Sequence, residues 1–555
     1  MAAPHPEEPS GMYHQEETQR KTQDMTERLP GNALGFPEEL AQATGERKFS
    51  SKEPKSGLSR AMTGLIEGIE KFDSPGKGRG LRVTKAFKVG ELLFSSPPYS
   101  YVLSVEERGN YCEFCFTRKE GLARCGKCKK AFYCNAKCQK GDWAMHKLEC
   151  SAMNAFGENW CPSDTTRLVA RILAKKVGLN MKKKVFLNCF NQVLFFNNNM
   201  SNVLIPNQKM MKERCVSEKM LLIEELQSHL EDEDNEKRER TDTDIAALHR
   251  FYPKHLELPD HKDLLTLYSQ VACNGFTIED DELSHIGTAV YPDVALINHS
   301  CLPSVIVTYN GTSAEVRAVQ DMKPGDEVLI SYIDLLYPTD DRNNRLRECY
   351  YFTCDCLECK TKSKDKAKLK IRKQSDPVEP HVVDNMIRYA RNTVREFRAL
   401  KHSLEKMGAV FDDSNVYMLH MMYQAMGVCI YMQDADGAIR YGEKILKPYS
   451  KLYPPYSLNV SSMYLKMGRI YINMDRNSEG TSALKKAMAI MEVAHGKNHP
   501  FLKDLRKEIG QKQLIISSAR ITTPVRPTPA LQCTTTGGLR LFEVSSMVLV
   551  CLLTD

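Results

Sequence analysis

The strongest constraint on this chain is a dense run of paired cysteines. It reads Cys112-x2-Cys115-x9-Cys125-x2-Cys128-x5-Cys134-x3-Cys138-x7-His146-x3-Cys150. Zinc takes four soft or borderline ligands in a tetrahedron, and pairs two or three residues apart let one turn present two of them. Eight ligands in four pairs imply two ions. An interleaved arrangement gives Cys112, Cys115, Cys134 and Cys138 to one ion and Cys125, Cys128, His146 and Cys150 to the other. Pairing of neighbouring pairs is also compatible, and spacing alone does not decide. So short a segment has little core of its own, so metal binding must supply much of its folding free energy. Basic residues outnumber acidic ones across the block, but the thiolates offset much of that excess, so the face is expected to be only modestly basic.

Other counts narrow the setting. The chain has 19 cysteines, and neither end carries a charged-then-apolar leader. The apolar run Met547 to Leu553 is too short to span a bilayer. A reducing, intracellular compartment and no membrane association are therefore expected, with clustered cysteines holding metal rather than disulfides. At 555 residues, three or four folded units are expected. Lys and Arg total 77 against 70 Asp and Glu, too even a balance for a histone-like polyanion binder.

Residues 1–64 lack hydrophobic periodicity and read as a disordered extension. Beyond them, a loop with Ser74-Pro75-Gly76-Lys77-Gly78-Arg79-Gly80 lies between apolar runs, predicting strand, loop, strand; further strands are expected at Glu91–Phe94 and Tyr99–Leu103. A helix is expected at Arg167–Ala174, and amphipathic stretches at Glu218–Leu230 and Asp244–Phe251. Residues 177–214, with Phe/Asn runs and no clear period, look inserted. Residues 283–333 alternate short apolar runs with turns, an all-β signature. Within it, Asn310-Gly311 predicts one hairpin, and Lys323-Pro324-Gly325-Asp326 predicts another before a strand at Glu327–Ile333. A charged linker over 361–377 then precedes a helical region over 378–512. There, Met422-Tyr423 followed by Met426-Gly427 recurs as Met463-Tyr464 followed by Met467-Gly468, suggesting a tetratricopeptide-like array. Residues 513–555 form an unassigned tail.

A second constellation joins distant segments. Asn298-His299-Ser300-Cys301 lies far upstream of Cys354-x-Cys356-x2-Cys359. Cys301 with Cys354, Cys356 and Cys359 would complete a third tetrahedral zinc site, pinning the later loop against the one carrying Asn298 and His299.

The first block, with Phe132-Tyr133-Cys134, Cys138-Gln139, Trp143 and His146, resembles a MYND zinc finger, a family that uses the interleaved pairing. The Gly76–Gly80 loop, Asn298–Cys301, the Gly325-to-Tyr332 segment and the triple-cysteine end together resemble a SET domain. An early MYND insertion with a helical C-terminal region is the layout of the SMYD family. The resemblance implies an α+β fold: a SET β fold split into 65–111 and 151–348 by a finger at 112–150, a zinc loop at 349–360 and the helical domain. It implies a protein-lysine N-methyltransferase using S-adenosylmethionine and three structural zinc ions. Lys77, Gly78, Arg79, His229, Cys273, Asn274, Asn298, His299, Tyr350 and Phe352 match cofactor-binding positions. Tyr332 matches the catalytic tyrosine, and Phe276, Tyr332 and Tyr350 match the lysine channel. Histones and non-histone regulatory proteins are the implied substrates, proline-rich peptides the ligands of the finger, and chaperones the partners of the C-terminal helices. A monomer in cytoplasm and nucleus is expected. Position 304 is Ser where the family commonly has Asn, and Gln227 stands where a carboxylate is expected near the cofactor. The alternative reading is a non-catalytic SET/MYND scaffold adaptor in transcriptional regulation.

Overall fold

The computed structural model describes residues 66–177, 222–252, 256–373, 379–396 and 400–521. The expected disordered extension over 1–64, the inserted stretch beyond residue 177 and the apolar run Met547 to Leu553 lie outside the described residues.

Strands β1 (Ile69–Ser74) and β2 (Gly78–Val83) form an antiparallel hairpin. Its turn needs left-handed backbone at Gly76 (φ 73°) and Gly78 (φ 76°), which a side chain would strain. Next come β3 (Leu92–Ser96) and β4 (Ser100–Leu103), close to their expected places. The finger follows, with the short ladder of β5 (Ala123–Arg124) and β6 (Phe132–Tyr133) and helix α1 (Ala136–Phe156). Helix α2 (164–177) contains the predicted segment. Helices α3 (Asn235–Phe251) and α4 (His261–Asn274) lead to β7 (Phe276–Glu279) and β8 (His285–Val290). The expected amphipathic helix reaching Leu230 instead ends at residue 224, while the one expected at Asp244 starts nine residues earlier, capped by the Asp234 carboxylate.

Small sheets then stack around one apolar core that includes Val83, Phe94, Leu103, Ile286, Tyr291, Val305, Val316 and Val328. β8 lies between β4 and β7. β9 (Asn298–His299) pairs in parallel with β12 (Leu329–Ile330), and β10 (Val305–Asn310) turns at Gly311 into β11 (Ser313–Ala318), which also pairs with β3. The Asn310-Gly311 hairpin forms as expected. The second expected hairpin does not. Lys323–Asp326 makes a tight turn, but its arms pair with Phe87 and with Leu81–Val83 rather than with each other, and the strand after it shrinks to Leu329–Ile330.

The charged stretch expected as a linker is folded up to residue 373. Helices α5 (Thr339–Tyr350) and α6 (Leu357–Thr361) lead into it, α7 (Asp365–Lys368) lies within it, and the ammonium of buried Lys368 donates to the carbonyls of Leu335 and Tyr337. Charge alone made it look solvated; the backbone acceptors that bury it come from another segment. The C-terminal region is an array of helices: α8 (Pro380–Glu396), α9 (Leu400–Gly408), α10 (Val416–Tyr431), α11 (Ala435–Leu452), α12 (Leu458–Asn473), α13 (Asn477–Ala494) and α14 (Pro500–Ile521). The repeated Met-Tyr…Met-Gly words fall on α10 and α12, with all four methionines buried. The last helix runs into the stretch left unassigned, ending at Ile521.

A buried ion network joins the finger to this framework. Arg167 and Arg171, fully or nearly fully buried on α2, both bond the Glu149 carboxylate on α1 (3.1 and 3.3 Å). Arg171 also reaches Asp142, and the Tyr252 hydroxyl donates to Glu149. Burial alone would raise the Glu149 carboxyl, but Arg167 and Arg171 hold it well below the usual carboxylate range. Removing one partner leaves an uncompensated buried charge. Arg167→Ala is expected to cost about 3–5 kcal/mol, read as a lowered urea midpoint.

Candidate active site and metal centres

Local chemistry explains how the finger presents its ligands. The Asn135 side chain caps α1, accepting from the backbone of Lys137 and Cys138 (2.9 and 3.1 Å), which sets Cys138 in the first turn just after Cys134. His146 and Cys150, four apart, share one face of the same helix. The structure brings Cys112, Cys115, Cys134 and Cys138 together, and separately Cys125, Cys128, His146 and Cys150; in each group the ligand atoms lie within 4.8 Å of one another. This is the interleaved pairing. Sulfurs about 2.3 Å from one zinc sit about 3.8 Å apart in a tetrahedron. Here Cys115 and Cys134 are 3.7 Å apart, Cys125 and Cys150 3.9 Å, and Cys128 lies 3.5 Å from His146 Nε2. The donor sets fit zinc.

The finger's face departs from expectation. Glu113, Asp142 and Glu149 are buried against arginines, so among its acids only Glu120 is exposed, beside exposed Arg118, Lys119, Arg124, Lys127, Lys129, Lys137, Lys140 and Lys147. Counting charges along the chain missed this because burial sorts them by face.

Cys301, Cys354, Cys356 and Cys359 form the third four-ligand group, with Cys301 and Cys359 Sγ atoms 3.6 Å apart. The Arg342 guanidinium, unmarked in the sequence, donates to the sulfurs of Cys301 and Cys359 and offsets the excess negative charge of four thiolates. No two described cysteines are joined by a disulfide.

This cluster is wired to the candidate catalytic residue through His299. The Tyr332 backbone N–H donates to His299 Nδ1 at 3.0 Å, so the neutral ring carries its proton on Nε2, which lies 3.4 Å from Cys301 Sγ. Both ring nitrogens are thus engaged inside the protein. The Tyr332 hydroxyl donates to the Ile297 carbonyl at 2.6 Å, and burial pushes its phenol above the ordinary tyrosine range. Tyr350 packs at 5.0 Å between ring centres and Phe352 stands edge-on to it at 6.3 Å.

The remaining cofactor candidates fall in two groups, a patch around Asn298 and one around the 227–229 segment. Asn298 spends both amide hydrogens, on the Arg79 carbonyl (3.1 Å) and on Glu327 (2.9 Å), leaving Oδ1 to accept. Glu327 also binds the Lys77 ammonium at 3.0 Å, and Arg79 pairs with Glu225 at 3.1 Å. A Cβ at Gly80 would come within 2.9 Å of the Asn298 amide, so only glycine allows that approach. Cys273 Sγ faces the Ser228 carbonyl, Asn274 donates to the Gln227 carbonyl, and His229, at φ 53°, stacks on Tyr351. Glu225 and Glu327 went unnoticed in the sequence, where each is one acid among many. Glu225, two residues before Gln227, supplies a carboxylate near this patch. Ser304 is fully engaged, donating to the Glu327 carbonyl (3.1 Å) and accepting from Leu329 N–H (2.9 Å).

Phe276, Tyr332 and Tyr350 line a cavity of about 630 Å³, which Cys273 and Asn274 also border and whose remaining wall includes Tyr417, Tyr423 and Tyr449 from the C-terminal helices. Its size is that of a site that encloses part of a ligand.

Fold and site together define a SET-type protein with an inserted MYND finger. A MYND-finger family model matches residues 112–150. The human protein N-lysine methyltransferase SMYD2 is 59% identical over 457 residues, covering 80% of this chain and 98% of that protein. SMYD2-B of Xenopus laevis is 59% identical over 459 residues (80% and 99%), and SMYD2-A of Danio rerio 57% over 461 residues (80% and 99%). The chain belongs to the SMYD2 family of N-lysine methyltransferases. A crystal structure of the SET domain of LSMT bound to lysine and AdoHcy aligns at 11% identity with a TM-score of 0.29, over 82% of this chain and 89% of that one, too low a likeness to argue from.

Cys356→Ala is expected to lower the zinc held by the cysteine clusters by one ion per chain, measured by plasma mass spectrometry, while leaving the finger's two ions in place.

Proposed function

We propose that this chain methylates lysine side chains of protein substrates, with S-adenosylmethionine as donor. The observation that carries the reading is Tyr332, its hydroxyl fixed on the Ile297 carbonyl and its backbone on His299 beside Asn298, in the wall of the aromatic cavity. The patch suits such a donor. A Cβ at Gly76 or Gly78 would meet nothing within 4 Å, so the glycine loop leaves open space. Asn298 Oδ1 offers an acceptor, and Phe352 an aromatic face. Lys77, Gly78, Arg79, His229, Cys273, Asn274, Asn298, His299, Tyr350 and Phe352 would hold it, His299 through its ring face and backbone. When bound, the donor supplies an electrophilic methyl on a positive sulfur.

The protein's own part is to align and to dry. An incoming lysine must be neutral to attack, yet its free pKa is about 10.4. Phe276, Tyr332 and Tyr350 strip water from the ammonium and so favour the neutral amine. Because the Tyr332 hydrogen is committed to Ile297, its oxygen is left as an acceptor that orients the amine. Alignment in a dry channel then supplies most of the acceleration. The zinc ions take no part, since protein fills four ligand positions in each cluster.

The substrate lysines belong, on this reading, to histones and non-histone regulatory proteins, and a monomer works in cytoplasm and nucleus. Proline-rich peptides would dock on the finger and chaperones on the C-terminal helices. These rest on the family resemblance. No helix among the described residues is long and apolar enough to cross a membrane.

Tyr332→Phe is expected to lower methyl transfer roughly 100-fold or more with donor affinity in calorimetry unchanged; full activity in this variant refutes the role. For the native chain, kcat/KM should rise close to tenfold per pH unit from neutrality toward pH ~9, as the free lysine (pKa about 10.4) deprotonates. Since burial raises the Tyr332 pKa, no falling limb from its ionisation is expected in that range.

A further inference from the structure

Asp281, His495 and His499 come together where the SET sheets meet the end of the helical array, and all their ligand atoms lie within 4.8 Å of one another. Asp281 sits in the turn between β7 and β8. His495 follows the last residue of α13, and His499 immediately precedes α14. The same corner is anchored by the Thr308 hydroxyl donating to the Ala494 carbonyl.

Hydrogen bonding leaves this cluster incomplete. His495 is 6% exposed, yet neither of its ring nitrogens has a partner. His499 is hydrogen-bonded to the Tyr309 backbone, while its Nδ1 has no hydrogen-bond partner. The ring therefore donates from Nε2, and its Nδ1 lone pair faces the Asp281 carboxylate at 3.6 Å. Two lone-pair-bearing atoms directed at each other, beside a buried imidazole with nothing to bind, need a cation between them. An imidazole that donates its second nitrogen to a backbone carbonyl is also the usual outer-shell arrangement of a metal ligand.

We propose that Asp281, His495 and His499 form a fourth metal site, of different chemistry from the cysteine clusters. Two imidazoles and one carboxylate select a borderline divalent ion of the zinc or cobalt type over calcium or magnesium, and three protein ligands leave a position for water. The surrounding charge favours a dication. Asp280, Asp281, Glu282 and Glu315 oppose Arg317 and Arg469, and each guanidinium is already paired, with Glu315 and Glu282 respectively. The Asp281 side chain is 27% exposed, which gives the ion a way in. Glu279, Leu283 and Tyr309, close by in sequence or contact, line the large cavity. The bound ion would therefore clamp together the two parts of the molecule that wall it.

The test uses the full chain with its cysteine clusters loaded. After dialysis against buffered free Zn²⁺, mass spectrometry should find one zinc equivalent beyond the three held by cysteine. Asp281→Asn and His499→Gln should each lose that equivalent and keep the other three. Co²⁺ added to the zinc-loaded chain should give visible d–d bands without the near-ultraviolet thiolate-to-cobalt band, and Asp281→Asn should abolish them. Zn²⁺ should also raise the thermal midpoint of the native chain but not of Asp281→Asn. Three equivalents in the native chain at saturating Zn²⁺ overturn the site. So does a cobalt spectrum with the thiolate band, or a corner whose stability follows pH and ignores metal, which would make the missing cation a proton. The native-chain count decides even if a variant misfolds.

Discussion

The contact on which the site depends is the closure of Cys301 onto Cys354, Cys356 and Cys359. The backbone between them is more than fifty residues long, and a small apolar cluster with Leu346, Tyr332, Tyr350 and Phe352 surrounds the sulfurs. Four sulfurs converging at tetrahedral spacing add metal coordination to that small core. Its effect reaches the chemistry by a short chain of hydrogen bonds: Cys301 to His299, His299 to the Tyr332 backbone, and the Tyr332 hydroxyl to Ile297. The ion needs no open position to matter. It fixes the ring that the proposed reaction must find in one place.

The rest of the active patch is held by carboxylates acting from outside it. Glu327 grips Asn298 and Lys77, and Glu225 grips Arg79, so the polar groups that would meet the methyl donor are oriented before it arrives. Preorganisation of this kind reduces the ordering cost of binding. The finger is tied on in a different way, through Glu149 shared by Arg167 and Arg171. Turning Glu113, Asp142 and Glu149 inward satisfies the buried guanidiniums and leaves mostly lysines and arginines on the outer face. One arrangement thus sets both the finger's attachment and its surface charge.

Much of this was legible along the chain where the signal is local and stereochemical. Ligand pairs such as Cys112–Cys115 and His146–Cys150 are readable because one turn or one helical face enforces their spacing. The Gly76–Gly78 turn and the Asn310-Gly311 hairpin are readable because only certain residues tolerate left-handed backbone. The expected helix reaching Leu230 stops at residue 224, and the expected second hairpin did not form, since the partners that decide it come from elsewhere: Lys323–Asp326 turns as its residues dictate, but its arms pair with Phe87 and the strand of Leu81–Val83. The same holds for the supposed linker, whose lysine finds carbonyl acceptors at Leu335 and Tyr337.

The amino-acid sequence by itself determined the zinc-ligand pairs and the glycine loop, because spacing and side-chain type suffice for those, while the finger and the residues around Tyr332 were implied by family resemblance. Tertiary structure alone decided which carboxylates orient the patch, which way the finger's charges face, and that Asp281 meets His495 and His499. Those outcomes depend on contacts between residues from about 30 to more than 200 positions apart. No local preference encodes such contacts; they follow only once the core has closed and each buried charge or lone pair has had to find its complement.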